Sequence, residues 1–509
     1  MTDSDRKLVF GQPARQAPAS PRVRAVNREQ MLMLQIDVER LIPEDHAARA
    51  IWELTGKLEL KAFYEQVKAV EGRAGQPRFD PRLMISVWVY GLSRGVNSAR
   101  ELSEWCKWEP GLQWLCAMGA VNYHSLSTFR SVQGEALKQL FIELLGVLTA
   151  EGLVELERLA VDGTRIRAHC GPAGGRKGAR LQEYLKTATE HLEELEQEPE
   201  ESLHAREQAA QQRSRRERQQ RVEAAQDVFK QLQQERGETE AAEVQVNVNE
   251  PEARVMKQPD GSFAPGYNLQ LATEASHKIV VAAVTSDRGA DVGLLGEVMD
   301  AVKDASGKLP KQVLVDGGYV SAGNLEASQR RGVELIGPVP ETGGSARAQA
   351  EQRGVSEAYL KEAFHYDSHN DTYQCPEGKP LVHIGARERE SGSVEHTYRA
   401  KRGDCAQCRH KMECCPTAGK QGRTVTRTEP SPLMAAYREK MQTDGYRQLY
   451  RTRSEVAEFP NAWIKEKLGL RRFRLNGITK VAAESMWAVI TYNAQQWIRL
   501  SWRARLTAA

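Results

Sequence analysis

Residues 311–320 read KQVLVDGGYV, in which three apolar residues, Val313, Leu314 and Val315, run into Asp316 and are followed by two glycines and a tyrosine. A short apolar run bounded by turn residues fits a buried strand, and Gly317 and Gly318 free the backbone just beyond it. Open α/β sheets present groups to ligands at such strand ends. Asp-Gly is also ordinary turn chemistry, so Asp316 by itself leaves a site and a plain turn equally open. A second stretch, LERLAVDGTRIRAH at 156–169, repeats the pattern, with a β-rich run meeting Asp162 and Gly163. We read it as a strand ending in a turn. Two carboxylates at the ends of separate strands can converge, and together they ask for a third acid.

The order of elements around these strands predicts the fold. Residues 1–30 carry Pro, Arg and Ser without apolar periodicity and read as a flexible tail. From 31 to 155, apolar residues recur at three- and four-residue spacing, as in PRLMISVWVYGLSRG and GEALKQLFIELLGVLTAEG, which predicts an all-helical domain. Residues 156–340 read as the first part of an α/β core. Within it, 177–246 is dense in helix formers, broken near Pro199, and reads as two long helices folded into an arm. The arm reads as solvated or as a dimerising coiled coil, with weakly apolar seam positions. GYNLQLATEASHKIVVAAVTSD, 266–287, reads as two strands joined near Glu274 to Lys278, followed by a helix from Asp291 to Lys303, the strand at 311–316, a helix over 321–331 and a strand at VELIGPV. The sum is an α/β sheet with a long insertion after its first strand. Residues 341–430 are poor in helix signal and hold five cysteines; helices resume over 431–509.

Composition bounds the possibilities without choosing among them. The chain has 509 residues, 27% of them charged, and a net charge of +3, too small to argue nucleic-acid binding except through local clusters. No run of about 18 apolar residues is present, and the polar start MTDSDRKLVFGQPARQAP lacks the apolar centre of a signal peptide, so we expect a cytoplasmic protein with no membrane partner.

The element order and these motifs resemble the RNase-H-like catalytic core of bacterial insertion-sequence DDE transposases, in the group whose third acid lies in a Tyr-Arg-Glu-Lys signature. RFDPRLMISVWVYGLSRGVNSARELSEW, 78–105, is similar to the helical domain that precedes the core in that group. LAVDGTRIRA matches the first-Asp motif, VLVDGGYVSAGNL the second, and GYNLQLA the segment between them. YRTRSEVAEFPNAWIKEKLGLRRFRLNGITKVAAE, 450–484, resembles the final block. The family spaces Tyr and Arg by two residues, Arg and Glu by three, and Glu and Lys by six. Tyr450 with Arg453 and Glu458 with Lys465 keep the outer spacings, but the middle gap is four; Arg451 with Glu455 keeps the middle gap and loses both ends. Two intact spacings favour Glu458 over Glu455. A continuous helix would put Glu458 and Lys465 on one face, and Pro460 between them is expected to kink or restart it.

The resemblance implies a metal-dependent transposase with Asp162, Asp316 and Glu458 as catalytic acids holding two Mg²⁺ or Mn²⁺ ions per site. Such a pair activates an attacking oxygen and stabilises a leaving one in an in-line displacement at phosphorus, and Mg²⁺ suits oxygen donors. Tyr319, Tyr450, Arg453, Lys465, Arg471 and Arg472 are the candidate DNA contacts, because clustered cations among aromatics suit nucleic acid. Packing is the other reading of Tyr319, and a solvated helix face that of the cations. Asn268, Arg165 and Arg167 are weaker candidates, and RSRRERQQR, 213–221, sits among glutamates and reads as solvated helix. The implied activity is hydrolysis at the ends of the element and strand transfer of the 3′ hydroxyls; the alternatives are a DNA nuclease without strand transfer and a non-catalytic DNA-binding derivative. The implied partners are double-stranded DNA, as terminal inverted repeats and as target, and a second copy of the chain on DNA in a nucleoid-associated homodimer.

The cysteine segment has a chemistry of its own. TYQCPEGKPL and GDCAQCRHKMECCP place Cys375, the pair Cys405 and Cys408, and Cys414 with Cys415 in one stretch. In a reducing compartment such crowding points to metal before disulfide, and Cys375, Cys405, Cys408 and Cys414 suit a structural Zn²⁺ site. Cys415 and His410 leave the ligand set ambiguous, and cysteines that merely pack are the alternative.

Overall fold

The computed structural model describes residues 29, 31, 33, 35–67, 78–132, 134–197, 205–236, 244–339, 344–389, 392–416 and 421–508. The expected tail, apart from residue 29, and the break near Pro199 lie outside them. The N-terminal part is built of helices, among them Ala47–Gly56, Pro81–Ser93, Ala99–Trp105, Tyr123–Val132 and Gly134–Ala150. Helix Pro81–Ser93 starts where its sequence dictates. Pro81 sits in the first turn, where its missing N–H costs nothing, and the Asp80 carboxylate accepts from Arg82 N at 2.7 Å.

The main sheet contains β1 (Arg158–Arg167), β2 (Arg254–Lys257), β3 (Phe263–Glu274), β4 (Val280–Ser286), β5 (Gln312–Leu314) and β6 (Glu334–Ile336). Its order is β4-β3-β1-β5-β6, with β2 pairing the outer end of β3. β1, β3 and β4 are antiparallel neighbours, whereas β5 runs parallel to β1 and β6 parallel to β5. This order and this change of direction make the sheet RNase-H-like. Helix Leu295–Ser306 and the C-terminal helix Ile478–Trp497 pack on one face together with the N-terminal helices, so Leu144, Val161, Leu271, Val298 and Trp487 share one buried core. A buried ion pair, Arg130 to Glu484 at 2.9 Å, ties the first helical region to the last helix.

Two insertions leave this body. Helices Gly178–Gln197 and Ala205–Arg236 pack on each other through Leu181, Leu185, Val222, Ala225 and Phe229. Residues 365–429, for which the sequence signalled only a lack of helix, form an antiparallel sheet of β7 (His365–Asp367), β8 (Thr372–Gln374), β9 (Pro380–Glu388), β10 (Val394–Ala400) and β11 (Thr424–Glu429), each paired with the next. Three expectations need correction. β1 does not stop at Asp162 but continues to Arg167, because β3 keeps pairing with it from Gly163–Gln270 to Arg167–Gly266. Helix Arg453–Glu466 runs unbroken through Pro460; one proline removes one donor, and Val456, Ala457, Asn461 and Ile464 hold both halves against the body. The helix expected from Asp291 begins only at Leu295, leaving Asp291 in a loop.

Candidate active site

Register brings the first two acids together. β1 pairs with β5 as Arg158–Gln312, Leu159–Val313 and Ala160–Leu314, so two steps further along parallel neighbours Asp162 stands level with Asp316. Side chains alternate along a strand, so Asp162 shares the face of Ala160, and Asp316 that of Leu314. Both apolar residues pack with Ile336, Val456 and Ala457. The face that carries the acids is therefore the one covered by helix Arg453–Glu466. Beyond Leu314 the strand gives way to a short 3₁₀ turn, Gly317–Tyr319, capped by Asp316 itself, whose Oδ1 accepts from Gly318 N at 2.8 Å.

Helix Arg453–Glu466 grips Asp162 from two positions. Arg453 Nη2 donates to Asp162 Oδ1 at 2.8 Å, and Asn461 Nδ2 donates to Oδ2 at 2.9 Å. Burial pushes the Asp162 carboxyl above the usual aspartate range; Arg453 opposes this, and the charges of Asp316 and Asp291 add to it. Lys465, one turn beyond Asn461, is half-buried; burial lowers its ammonium below the usual lysine value, and Asp162 opposes that shift. Glu458 is three residues before Asn461 and seven before Lys465, which puts it on their flank of the helix, where it is exposed. Glu455 points elsewhere and pairs with Lys278 at 2.5 Å.

Several candidates sit differently from expectation. Tyr319 is 0% exposed, and its hydroxyl donates to Gln270 Oε1, so it packs under the loop and offers no face to DNA. Tyr450 is partly buried with Met441, Tyr446 and Leu449 against the Ala160 cluster and lines a shallow groove with Pro338 and Arg447. Arg471 pairs with Glu466 and is exposed; Arg472 is exposed and meets Arg167 through its backbone. Arg165 donates to Gly289 O at 2.9 Å and Arg167 to Asp260 at 2.5 Å, so both are committed to neighbouring loops. Asn268 is buried and donates to Asp291 Oδ1 at 2.8 Å. Asp291 was assigned to a helix from sequence; the glycines at 289 and 293, the second at φ +85°, were the signal that the helix starts later. Asn461 was likewise missed. Its signal was its place midway between Glu458 and Lys465 on one helical face.

Among the described residues, no three His, Cys, Asp or Glu side chains are drawn together closely enough to hold a metal ion. The acids near Asp162, namely Asp316 and Asp291, nevertheless offer the oxygen donors a hard cation takes, and the buried Asn461 Oδ1 has no hydrogen-bond partner, although nitrogen groups of Arg453 and Asn461 occupy the Asp162 oxygens. In the second sheet, Cys375, Cys405, Cys408, Cys414 and Cys415 line one small cavity with Tyr359 and Arg423. All five are free thiols; Lys379 N donates to Cys375 Sγ at 3.3 Å and Arg423 N to Cys405 Sγ at 3.4 Å. Among the described residues no helix is long and apolar enough to cross a membrane.

Comparison with known proteins adds two family matches. Residues 374–498 match a model described as a transposase DDE domain, and residues 36–132 match one described as a transposase domain (DUF772). The first match includes helix Arg453–Glu466 and the cysteine segment; together the two support a DDE transposase. No curated protein matches the chain. Among solved structures, the piggyBac transposase in a synaptic complex with hairpin DNA is similar over 88% of this chain and 74% of that one, at 9% identity and a TM-score of 0.27.

Proposed function

We propose that the chain is the DDE transposase of an insertion sequence, cutting phosphodiester bonds at the ends of its element and joining the freed 3′ hydroxyls to target DNA. The observation that carries this reading is the convergence on Asp162: Asp316 just past the end of the neighbouring strand and acting on Asp162 as a negative neighbour, and one helix bringing Arg453, Asn461 and Lys465 to it. Asp162, Asp316 and Glu458 would hold two Mg²⁺ or Mn²⁺ ions. Ions so held supply Lewis-acid stabilisation to the attacking and leaving oxygens of an in-line displacement.

The chain's own groups have separable tasks. Arg453 and Asn461 hold each Asp162 oxygen in a fixed direction, so the carboxylate needs little reorganisation. Lys465, half-buried beside it, presents a point charge to a phosphate, and the exposed Arg471 and Arg472 continue the positive surface along the DNA backbone. Double-stranded DNA, as terminal repeats and as target, is the partner, and two copies of the chain would join the two ends. The test is an assay with labelled terminal DNA and a second duplex. Cutting and joined product, both lost in Asp162→Asn, are expected; cutting without joining would make the chain a nuclease, and neither activity would remove the reading.

We further propose that Cys375, Cys405, Cys408 and Cys414 hold a structural Zn²⁺ ion. The amide hydrogen bonds to Cys375 and Cys405 and the shared cavity support it, since thiolates at a metal accept such bonds. About one zinc per purified chain, falling in Cys405→Ser, is expected; a metal-free chain of equal stability would overturn the proposal.

A further inference from the structure

The site contains an acid that the three-carboxylate reading does not use. Asp291 follows β4 and lies ahead of helix Leu295–Ser306, with Oδ1 accepting from Asn268 Nδ2 at 2.8 Å and from Gln270 Nε2 at 2.7 Å. Asn268 and Gln270 are two apart on β3 and face the same side. Gln270 is turned toward Asp291 because the Tyr319 hydroxyl donates to its other atom, Oε1. Opposite Gln270 stands Gly163. A Cβ there would lie 2.5 Å from Asp291 Oδ1, 2.3 Å from Gln270 Nε2 and 2.9 Å from Asn268 Oδ1. The glycine next to Asp162 thus makes the space that the Asp291 carboxylate enters.

Asp162 and Gly163 point to opposite faces of β1, but β1 loses its parallel partner β5 after Ala160 and meets no other until Arg167. Between those residues the β1 edge is free of strand pairing, and both Asp316 and Asp291 are close enough to Asp162 to act on it as negative neighbours. Asp316, Asp291 and Asp162 all act as negative neighbours of the buried Tyr319.

One atom of this network is unsatisfied. Asn268 is 1% exposed, and its Oδ1 has no hydrogen-bond partner. The amide cannot be turned over to relieve it, because its oxygen would then face the Asp291 carboxylate. A buried acceptor without a donor is unfavourable, and carboxylates gathered beside it add repulsion. A cation carrying water answers both, since the charge meets the acids and a coordinated water donates to Asn268 Oδ1.

We infer that Asp291 is a fourth acid of the metal centre, binding a divalent cation together with Asp162 while Asn268 Oδ1 accepts from the cation's water. This rests on the transposase reading, with its centre at Asp162, Asp316 and Glu458, and extends the ligand set to the opposite side of β1. Gly163, Gln270 and Tyr319 are then positioning residues: Gly163 leaves room for the Asp291 carboxylate, and Gln270, oriented by Tyr319, holds it there.

The experiment is Mn²⁺ binding to the full chain by isothermal titration, with thermal melts in chelator and in Mn²⁺. Asp291→Asn is expected to weaken Mn²⁺ binding at least tenfold and to abolish the rise in Tm on adding Mn²⁺, while leaving Tm in chelator at or above the wild-type value. Asn268→Asp provides the second arm. It sets a new carboxylate against Asp291, so Tm in chelator should fall and Mn²⁺ should restore it. If Asp291→Asn does not fold, the Asn268→Asp arm decides: a Tm deficit that Mn²⁺ does not restore overturns the inference. Unchanged Mn²⁺ affinity in Asp291→Asn, with binding lost in Asp162→Asn and Asp316→Asn, overturns the fourth acid and leaves the transposase centre standing. Mn²⁺ binding that none of the acids affects removes both.

Discussion

Arg453 and Asp162 form a largely buried ion pair at 2.8 Å, with side chains 11% and 20% exposed, between a helix and a strand that also pack through Val456, Ala457 and Ala160. Removing one partner of such a pair leaves the other charge desolvated and alone. We expect Arg453→Ala to destabilise the fold by on the order of 3 kcal/mol and to raise the Asp162 carboxyl further. Urea unfolding checks the first, and Arg453→Lys, which keeps a charge without the planar fork, should lose less.

The pH dependence of stability follows from Asp162. Its carboxyl is held above the ordinary range, so the folded state keeps a proton that the unfolded chain releases. Stability from this group is then fully present below the ordinary aspartate pKa and is lost as pH rises from there through the raised folded value. In Asp162→Asn that loss is absent. Melts in chelator should therefore show the variant close to wild type in acid and gaining on it toward neutral pH; a Tm difference independent of pH would contradict the assignment.

Glu458 and Glu455 are separable by experiment. Glu458 is exposed on the flank that carries Asn461 and Lys465, so Glu458→Gln should leave Tm unchanged while lowering DNA cleavage on the order of a thousandfold, as loss of a metal-binding acid requires. Glu455 makes a surface pair with Lys278 that is worth about 0–1 kcal/mol. Glu455→Gln should therefore retain cleavage, and the opposite ranking of the two variants would move the third acid to Glu455.

Glu484 tests whether the helical N-terminal part and the sheet unfold as one body. Its carboxylate pairs with Arg130, accepts from the backbone N–H of Arg474 at 3.0 Å and of Leu475 at 3.1 Å, and is 5% exposed. Glu484→Ala is expected to cost roughly 3–5 kcal/mol in a single cooperative transition. Two separate transitions in calorimetry would instead show that the parts are independent.

Most of the sheet was legible in the sequence because its strands carried local signals, among them the apolar run before Asp316, the hairpin residues at 274–278 and the glycine after Asp162; the edge strand Arg254–Lys257 carried none and was not expected. What stayed hidden depended on partners distant in the chain. Nothing near Asp162 says that β3 will continue pairing past it, and so the strand was expected to stop at an ordinary turn. Pro460 is a local helix breaker overridden by burial of both halves of its helix. Asp291 reads as a helix start from sequence in spite of Gly289 and Gly293 beside it, whereas its position is fixed by Asn268 and Gln270 from another element. The antiparallel sheet of residues 365–429 alternates weakly, β9 being exposed at almost every position, which leaves no period-two pattern to read.

Asp162 waits for residues that lie 291 and 299 positions later in the chain, Arg453 and Asn461. During synthesis the first strand leaves the ribosome long before its countercharge exists, so the sheet must form provisionally or be held open until the last helices emerge. A chain cut short between residues 316 and 453 would retain both aspartates and the N-terminal sequence, yet hold Asp162 without its ion pair. Frameshifted or nonsense-terminated copies would thus lose, together with the grip on the first acid, the helix Ile478–Trp497 on which the N-terminal helices pack, so truncation removes the shared core as well as the site.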